Sequence, residues 1–234
     1  MLRAAARAIA DALFGGRCFL CRGSGGGGLL CAGCDRDLPR LPSERCPRCA
    51  LPSAGSRTCG RCLARPAAYD ATDAAVAFAF PADVLVHALK YRGELALAPL
   101  LAGLLSPVLR ADATLSAVVP VPLAPARLRE RGFNQAMEIA RPLAAHAGRP
   151  LAPHLIERVA DTPALAALPL DARARSVRGA FRCTARLDGA TVAVVDDVMT
   201  SGATLGEVAA TLKRAGAARV VNWVVARTLP HADV

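Results

Sequence analysis

The cysteines of this chain fall into two sets with one spacing. Cys18-x2-Cys21-x9-Cys31-x2-Cys34 is followed by Cys46-x2-Cys49-x9-Cys59-x2-Cys62, each member displaced by 28 residues. A constant offset of this kind marks an internal duplication. A Cys-x2-Cys knuckle lets two sulfurs reach one metal ion, and two knuckles complete a tetrahedral thiolate shell. Four knuckles therefore point to two zinc ions, with an iron–sulfur site or redox pairs as the alternatives. The period favours sequential pairing, one ion to each set; a crossed arrangement of first knuckle with third stays open. Four thiolates leave no open coordination position, so both sites are expected to be structural. A segment this short cannot stand on an apolar core alone. Cys183 has no partner in the sequence and is read as a small buried hydrophobe.

Paired cysteines used for metal imply a reducing, cytoplasmic setting. The longest apolar runs are about ten residues, against the ~20 that a spanning helix needs, so no membrane span is expected. Met1–Arg17 carries Leu2, Ala6, Ile9 and Leu13 at helical spacing, which predicts a docking helix, with an organellar transit peptide as the alternative. The formal net charge is +10, and residues 1–65 hold 11 Arg against 4 acids. Such a surplus invites a nucleic-acid reading. Eight thiolates on two Zn²⁺ would remove four charges from it, which returns most of this surface to an ordinary solvated face.

The cysteines also divide the chain into a zinc module over residues 1–65 and a second domain over 70–234. In the second part apolar runs alternate with helical patterns. Strands are expected at Ala74–Phe80, Leu115–Val121, Thr191–Asp196 and Arg219–Thr228. Helices are expected at Pro81–Arg92, Leu95–Arg110 with breaks at Pro99 and Pro107, Phe133–Ala147 with a kink at Pro142, Asp171–Gly179, and Ala203–Ala215 ended by Gly216. Asp161–Leu170 and Asp197–Gly202 are read as loops. This alternation predicts an α/β domain, with a mostly parallel sheet and helices on both faces.

The most informative string is Val192-Ala193-Val194-Val195-Asp196-Asp197-Val198-Met199-Thr200-Ser201-Gly202-Ala203-Thr204. Four apolar residues make a buried strand, with two carboxylates at its carboxyl end, where open α/β sheets place their ligands. A hydroxyl-rich loop and a helix follow. The helix N-terminus offers free N–H groups to a phosphate. Thr200, Ser201 and Thr204 add hydroxyls, and Gly202 and Ala203 allow close approach. Asp196 and Asp197 would repel a phosphate, so ribose hydroxyls, with Mg²⁺ nearby, are their natural partners. The string matches the signature with which type I phosphoribosyltransferases bind phosphoribosyl pyrophosphate (PRPP). It lacks the Gly-Lys-Thr of a Walker loop.

Over about residues 18–229 the chain resembles the ComF family, which joins a cysteine-knuckle zinc module to a type I phosphoribosyltransferase-like domain. The four knuckles carry the resemblance, with Cys46-Pro47-Arg48-Cys49 among them. So do His87-Ala88-Leu89-Lys90-Tyr91-Arg92-Gly93, Val119-Pro120-Val121-Pro122 and Arg131-Gly132-Phe133-Asn134-Gln135. Gly179-Ala180-Phe181 and Arg227-Thr228-Leu229 also fit. The resemblance implies that Val121 to Arg131 is a pyrophosphate-binding loop, with Arg127 and Arg131 meeting the charge, and that Lys90 is a further phosphate or substrate contact. His87 is read as a helix-face residue packed against the sheet. Two positions depart from the family pattern. Thr162 is followed by Leu165 where Thr-x-x-Gln is usual, and Ser176 stands where Asn precedes Val-x-Gly-Ala-Phe.

Two functions are expected on these grounds. The first is Mg²⁺-dependent phosphoribosyl transfer, a glycosyltransferase-class reaction. PRPP would lose pyrophosphate to an unknown acceptor, with Asp196, Asp197, Arg127 and Arg131 as the catalytic set. The second is a non-catalytic PRPP- or phosphate-binding module that acts in DNA uptake through single-stranded DNA or a protein of the competence machinery. A glutamine-dependent amidophosphoribosyltransferase is not expected, because that resemblance covers only the PRPP string and Met1-Leu2 offers no cysteine nucleophile.

Overall fold

The computed structural model describes residues 16–110, 112–160 and 175–230. Residues 1–15 of the expected docking helix, the 161–170 loop and the first part of the 171–179 helix lie outside them, as do Thr162 and Leu165; Gly16 and Arg17, the end of that expected helix, are not helical. Six strands are described: β1 (Ala71–Ala77), β2 (Leu115–Pro120), β3 (Ile156–Arg158), β4 (Phe181–Cys183), β5 (Thr191–Met199) and β6 (Arg219–Arg227). The α-helices are α1 (Ala32–Arg36), α2 (Gly60–Ala64), α3 (Ala82–Arg92), α4 (Leu97–Leu105), α5 (Pro125–Arg131), α6 (Gln135–Ala147) and α7 (Ala203–Arg214).

Strands β1, β6, β5 and β2 pair in that order, every pair parallel. Their Val- and Ala-rich runs are buried on both faces, as an internal parallel strand requires. Leu85 and Leu89 of α3, Leu101 and Leu105 of α4 and Ile139 and Leu143 of α6 pack on one face. Leu205, Val208 and Leu212 of α7 pack on the other, together with Cys46, Cys49, Cys62 and Tyr69. The α/β architecture expected from the alternation is thus present, with the zinc module built into it.

The two halves of that module reach opposite faces of the sheet. Phe19, Leu20, Leu30 and Leu38 from the first half join the core of α3, α4 and α6, while the second half joins the core of α7. The chain between them runs along the outer edge of β1. Leu41 N–H donates to Ala75 O at 3.2 Å and Ala77 N–H donates to Pro39 O at 2.7 Å. Arg45 and Thr72 add bonds to Ala74 O and Arg48 O across the same seam. An edge that would otherwise expose unpaired backbone groups is closed.

Several expectations require correction. Strand β1 starts at Ala71, not Ala74, and Phe80 is exposed beyond its end. Strand β5 continues through Met199, because Val198 and Met199 still pair with Ala226 and Arg227 of β6. The acid pair therefore sits within the strand, and only residues 200–202 form the loop. Most of the expected 121–131 loop is helix α5, started by Pro125 at its first position and stopped by Gly132 in the left-handed region (φ 79°). Pro99 falls in the first turn of α4, where no intrahelical N–H bond is lost, so it causes no break. Helix α6 runs continuously past Pro142. Strands β3 and β4 form an antiparallel ribbon that no expectation covers. Residues 175–176 are helical and 177–179 form a turn.

Candidate functional site: two thiolate clusters and a carboxylate cleft

The cysteine sulfurs form two groups. Cys18, Cys21, Cys31 and Cys34 make one, and Cys46, Cys49, Cys59 and Cys62 the other, with all ligand atoms of a group within 4.8 Å of one another. Sequential pairing is the arrangement found. Zinc–sulfur bonds of about 2.3 Å in a tetrahedron place sulfurs about 3.8 Å apart. The Cys21–Cys31 and Cys49–Cys59 sulfurs lie 3.8 Å and 3.6 Å apart. Burial pushes the Cys18 and Cys46 thiols up, yet backbone N–H groups aimed at their sulfurs bring them down to about 6 and about 7. Duplicated positions thus carry duplicated electrostatics, suited to two structural zinc ions. Cys183, by contrast, is only half-buried and donates to Ala185 O, so it is not the fully buried residue expected.

The second group of residues lines a cleft of about 780 Å³ at the carboxyl ends of β5 and β2. Asp196, Asp197, Thr200 and Thr204 stand on one wall, Lys90, Tyr91 and His87 of α3 on another, and Val121, Arg127 and Arg131 face them. Helix α3 ends on Gly93 in the left-handed region (φ 68°), which sets Lys90 in the last turn. Its Nζ lies 2.9 Å from Asp197 Oδ2. That oxygen is buried, and the ammonium is the one partner it has among the described residues. Lys90 is therefore the counter-ion of Asp197. His87 is exposed and meets Phe78 and Tyr91 at ring-centroid distances of 5.5 and 5.7 Å, so it lines the cleft instead of packing on the sheet. Arg131 lies over the Tyr91 ring and donates to Gln135.

Asp197 Oδ1 accepts from Val198 N–H and Asp196 Oδ1 from Asp197 N–H, which fixes both carboxylates. Ser201 Oγ accepts from Ala203 N–H at the start of α7. The next two N–H groups of that helix, on Thr204 and Leu205, have no intrahelical partner. Gly202 has φ 81°, and a Cβ there would sit 2.7 Å from Met199 Cε and 2.9 Å from the Tyr69 hydroxyl. Only glycine fits that position.

Behind the loop lies a buried cation. Arg227 is 1% exposed. It donates from Nε to Cys49 O and from an Nη to Met199 O, Thr200 O and Thr228 O. Arg61 of α2 donates to Ser201 O at 2.8 Å.

Residues 9–63 match the double zinc ribbon domain family. The chain is 37% identical over 208 residues to DNA utilization protein YhgH of Salmonella typhimurium, covering 86% of this chain and 91% of the relative. It is 28% identical over 228 residues to competence protein F of Haemophilus influenzae, covering 92% and 98%. The chain belongs to the ComF/YhgH family. Another YhgH, from Escherichia coli strain K12, is 36% identical over 92% of this chain and 98% of its own. The crystal structure of TT1426 from Thermus thermophilus aligns at TM-score 0.30 and 20% identity, over 58% of this chain and 83% of that one.

Sequence reasoning does not single out Arg61, Tyr69 or the role of Arg227 in this ComF-family chain. An arginine inside an apolar strand pattern is the one available sign, since a buried guanidinium must have partners.

Asp196 gives a pH prediction. Burial first, and then the Asp197 charge, push its carboxyl up to about 8, against the pull of Lys90. The folded chain holds this proton more tightly than the unfolded chain, whose value is near ~4. Stability from this group is therefore complete below about pH 4 and is lost as pH rises toward about 8. Asp196→Asn should raise the Tm of the ligand-free protein, and the gain should widen from about pH 5 to about pH 8. Calorimetry at both pH values checks this; a pH-independent difference would contradict the assignment.

Proposed function

We propose that the cleft binds PRPP and that the protein serves DNA utilisation, as the names of its relatives suggest. The supporting observation is the convergence of unlike groups on one volume. The acid pair, the hydroxyls Thr200 and Thr204, and four arginines, Arg92, Arg127, Arg131 and Arg158, all line it. The phosphate of the ribose would meet Thr200, Ser201, Thr204 and the α7 N-terminus. Asp196 and Asp197 would accept from the ribose hydroxyls. Arg127 and Arg131 would hold the pyrophosphate by forked contacts. Asp197 Oδ2 is already paired with the Lys90 ammonium; the acid pair offers hard oxygen donors of the kind Mg²⁺ takes, and Mg²⁺ bound with PRPP would supply charge neutralisation.

In the transferase reading the C1–O bond to pyrophosphate breaks while an acceptor forms a bond to C1. The carboxylates steady the positive charge that develops on the ribose. In the second reading PRPP or another phosphate ligand is bound without turnover, and its occupancy is relayed to single-stranded DNA or to a competence protein. The relatives named for DNA utilisation and competence favour keeping it.

Calorimetric titration of the zinc-loaded protein with PRPP and Mg²⁺, followed by assay for pyrophosphate release, tests both. Binding with release supports the transferase. Binding without release supports the ligand module. No binding of millimolar PRPP, pyrophosphate or inorganic phosphate would overturn both readings of the cleft.

A further inference from the structure

We infer that the second zinc ribbon is the positioning device of the hydroxyl loop, and that Arg227 and Arg61 transmit its order to the loop's N–H groups. Three successive carbonyls, those of Met199, Thr200 and Ser201, turn toward the ribbon side. Arg227 takes the first two and Arg61 the third. In a trans peptide the C=O of one residue and the N–H of the next point in opposite directions. Holding these carbonyls therefore turns the N–H groups of Thr200, Ser201 and Gly202 away from the ribbon. Consecutive N–H groups set in this way make an anion-binding concavity.

Both arginines are tied to the second metal set and not the first. Arg227 Nε donates to the carbonyl of Cys49, itself a metal ligand. Arg61 lies between the ligands Cys59 and Cys62 on α2. Tyr69, packed among the same cysteines, places its hydroxyl under Gly202. The first ribbon instead packs with the core of α3, α4 and α6, through Phe19, Leu20, Leu30 and Leu38. The duplicated ribbons thus have different work, and only the second sets the loop.

Hydrogen exchange of the amides of Ala203, Gly206 and Thr228, which donate to Ser201 Oγ, Gly202 O and Met199 O, reads the order of this loop directly, in the full-length, zinc-loaded, ligand-free protein. Exchange should be about tenfold faster in Cys59→Ser and unchanged in Cys31→Ser. Arg61→Ala keeps all eight thiolates and loses one hydrogen bond, so exchange about fivefold faster is expected, with two zinc ions retained and partial rescue by Arg61→Lys. PRPP affinity should fall in the same order. Equal protection in Cys59→Ser and wild type, or equal loss in both cysteine variants, would overturn the inference. If Cys59→Ser does not fold, unchanged exchange in Arg61→Ala overturns it alone. The affinity arm rests on the PRPP reading, but the exchange arm does not. A wild type that ignores PRPP while its variants show the expected exchange ends that reading and leaves the brace standing.

Discussion

Zinc removal by a strong chelator should lower the Tm by more than about 10 °C and expose both ribbons to protease. A structural four-thiolate zinc contributes about 10–16 kcal/mol to the folding of its module. A whole domain is stable by only about 5–15 kcal/mol. Here the ribbons also fill the two cores, with Leu38 on one side of the sheet and Cys46, Cys49 and Cys62 on the other. Loss of metal therefore reaches the α/β domain. Differential scanning calorimetry with zinc measured on the same sample checks this. A Tm unchanged after loss of both ions would show that the domain stands without its module.

The second large effect is expected from Asp196→Asn combined with Asp197→Asn. Above about pH 8, where Asp196 is ionised, PRPP affinity should fall at least about a hundredfold, because two charged acceptors for ribose hydroxyls are lost, at about 1.5–3 kcal/mol for each charge-assisted bond. The fold should survive. The Asp196 change removes a carboxylate that burial disfavours, whereas the Asp197 change takes the counter-ion from Lys90. These effects oppose one another. Near-ultraviolet circular dichroism should match wild type while titration shows no binding. A normal titration would remove the cleft from the PRPP reading.

Much of this is legible in the residues alone. The cysteine period exposes the duplication, because metal ligation fixes both residue type and spacing. Strand β6 and helix α7 are readable from local patterns, as is the end of α3 at Gly93. What stays hidden depends on neighbours. The extension of β5 through Met199 follows from pairing with Ala226 and Arg227, which local sequence does not display. The helix at Pro125–Arg131 is short and largely polar, so it lacks an apolar period. His87 reads as a packed helix residue, and the cleft opens beside it instead. The link from Arg227 to Cys49 spans 178 residues, and no local pattern carries that information.

The seam at β1 bears on how partners attach. The far edge, β2, is bridged as well: Val118 N–H donates to Pro150 O and Ala152 N–H to Val118 O. With both margins of the four-stranded sheet engaged among the described residues, an incoming peptide meets little free backbone to extend it. Strand addition is a common route of peptide recognition, and at these two margins it is obstructed among the described residues. A partner that docks against these margins would be chosen by side chains, and its specificity would accordingly be open to change one surface residue at a time.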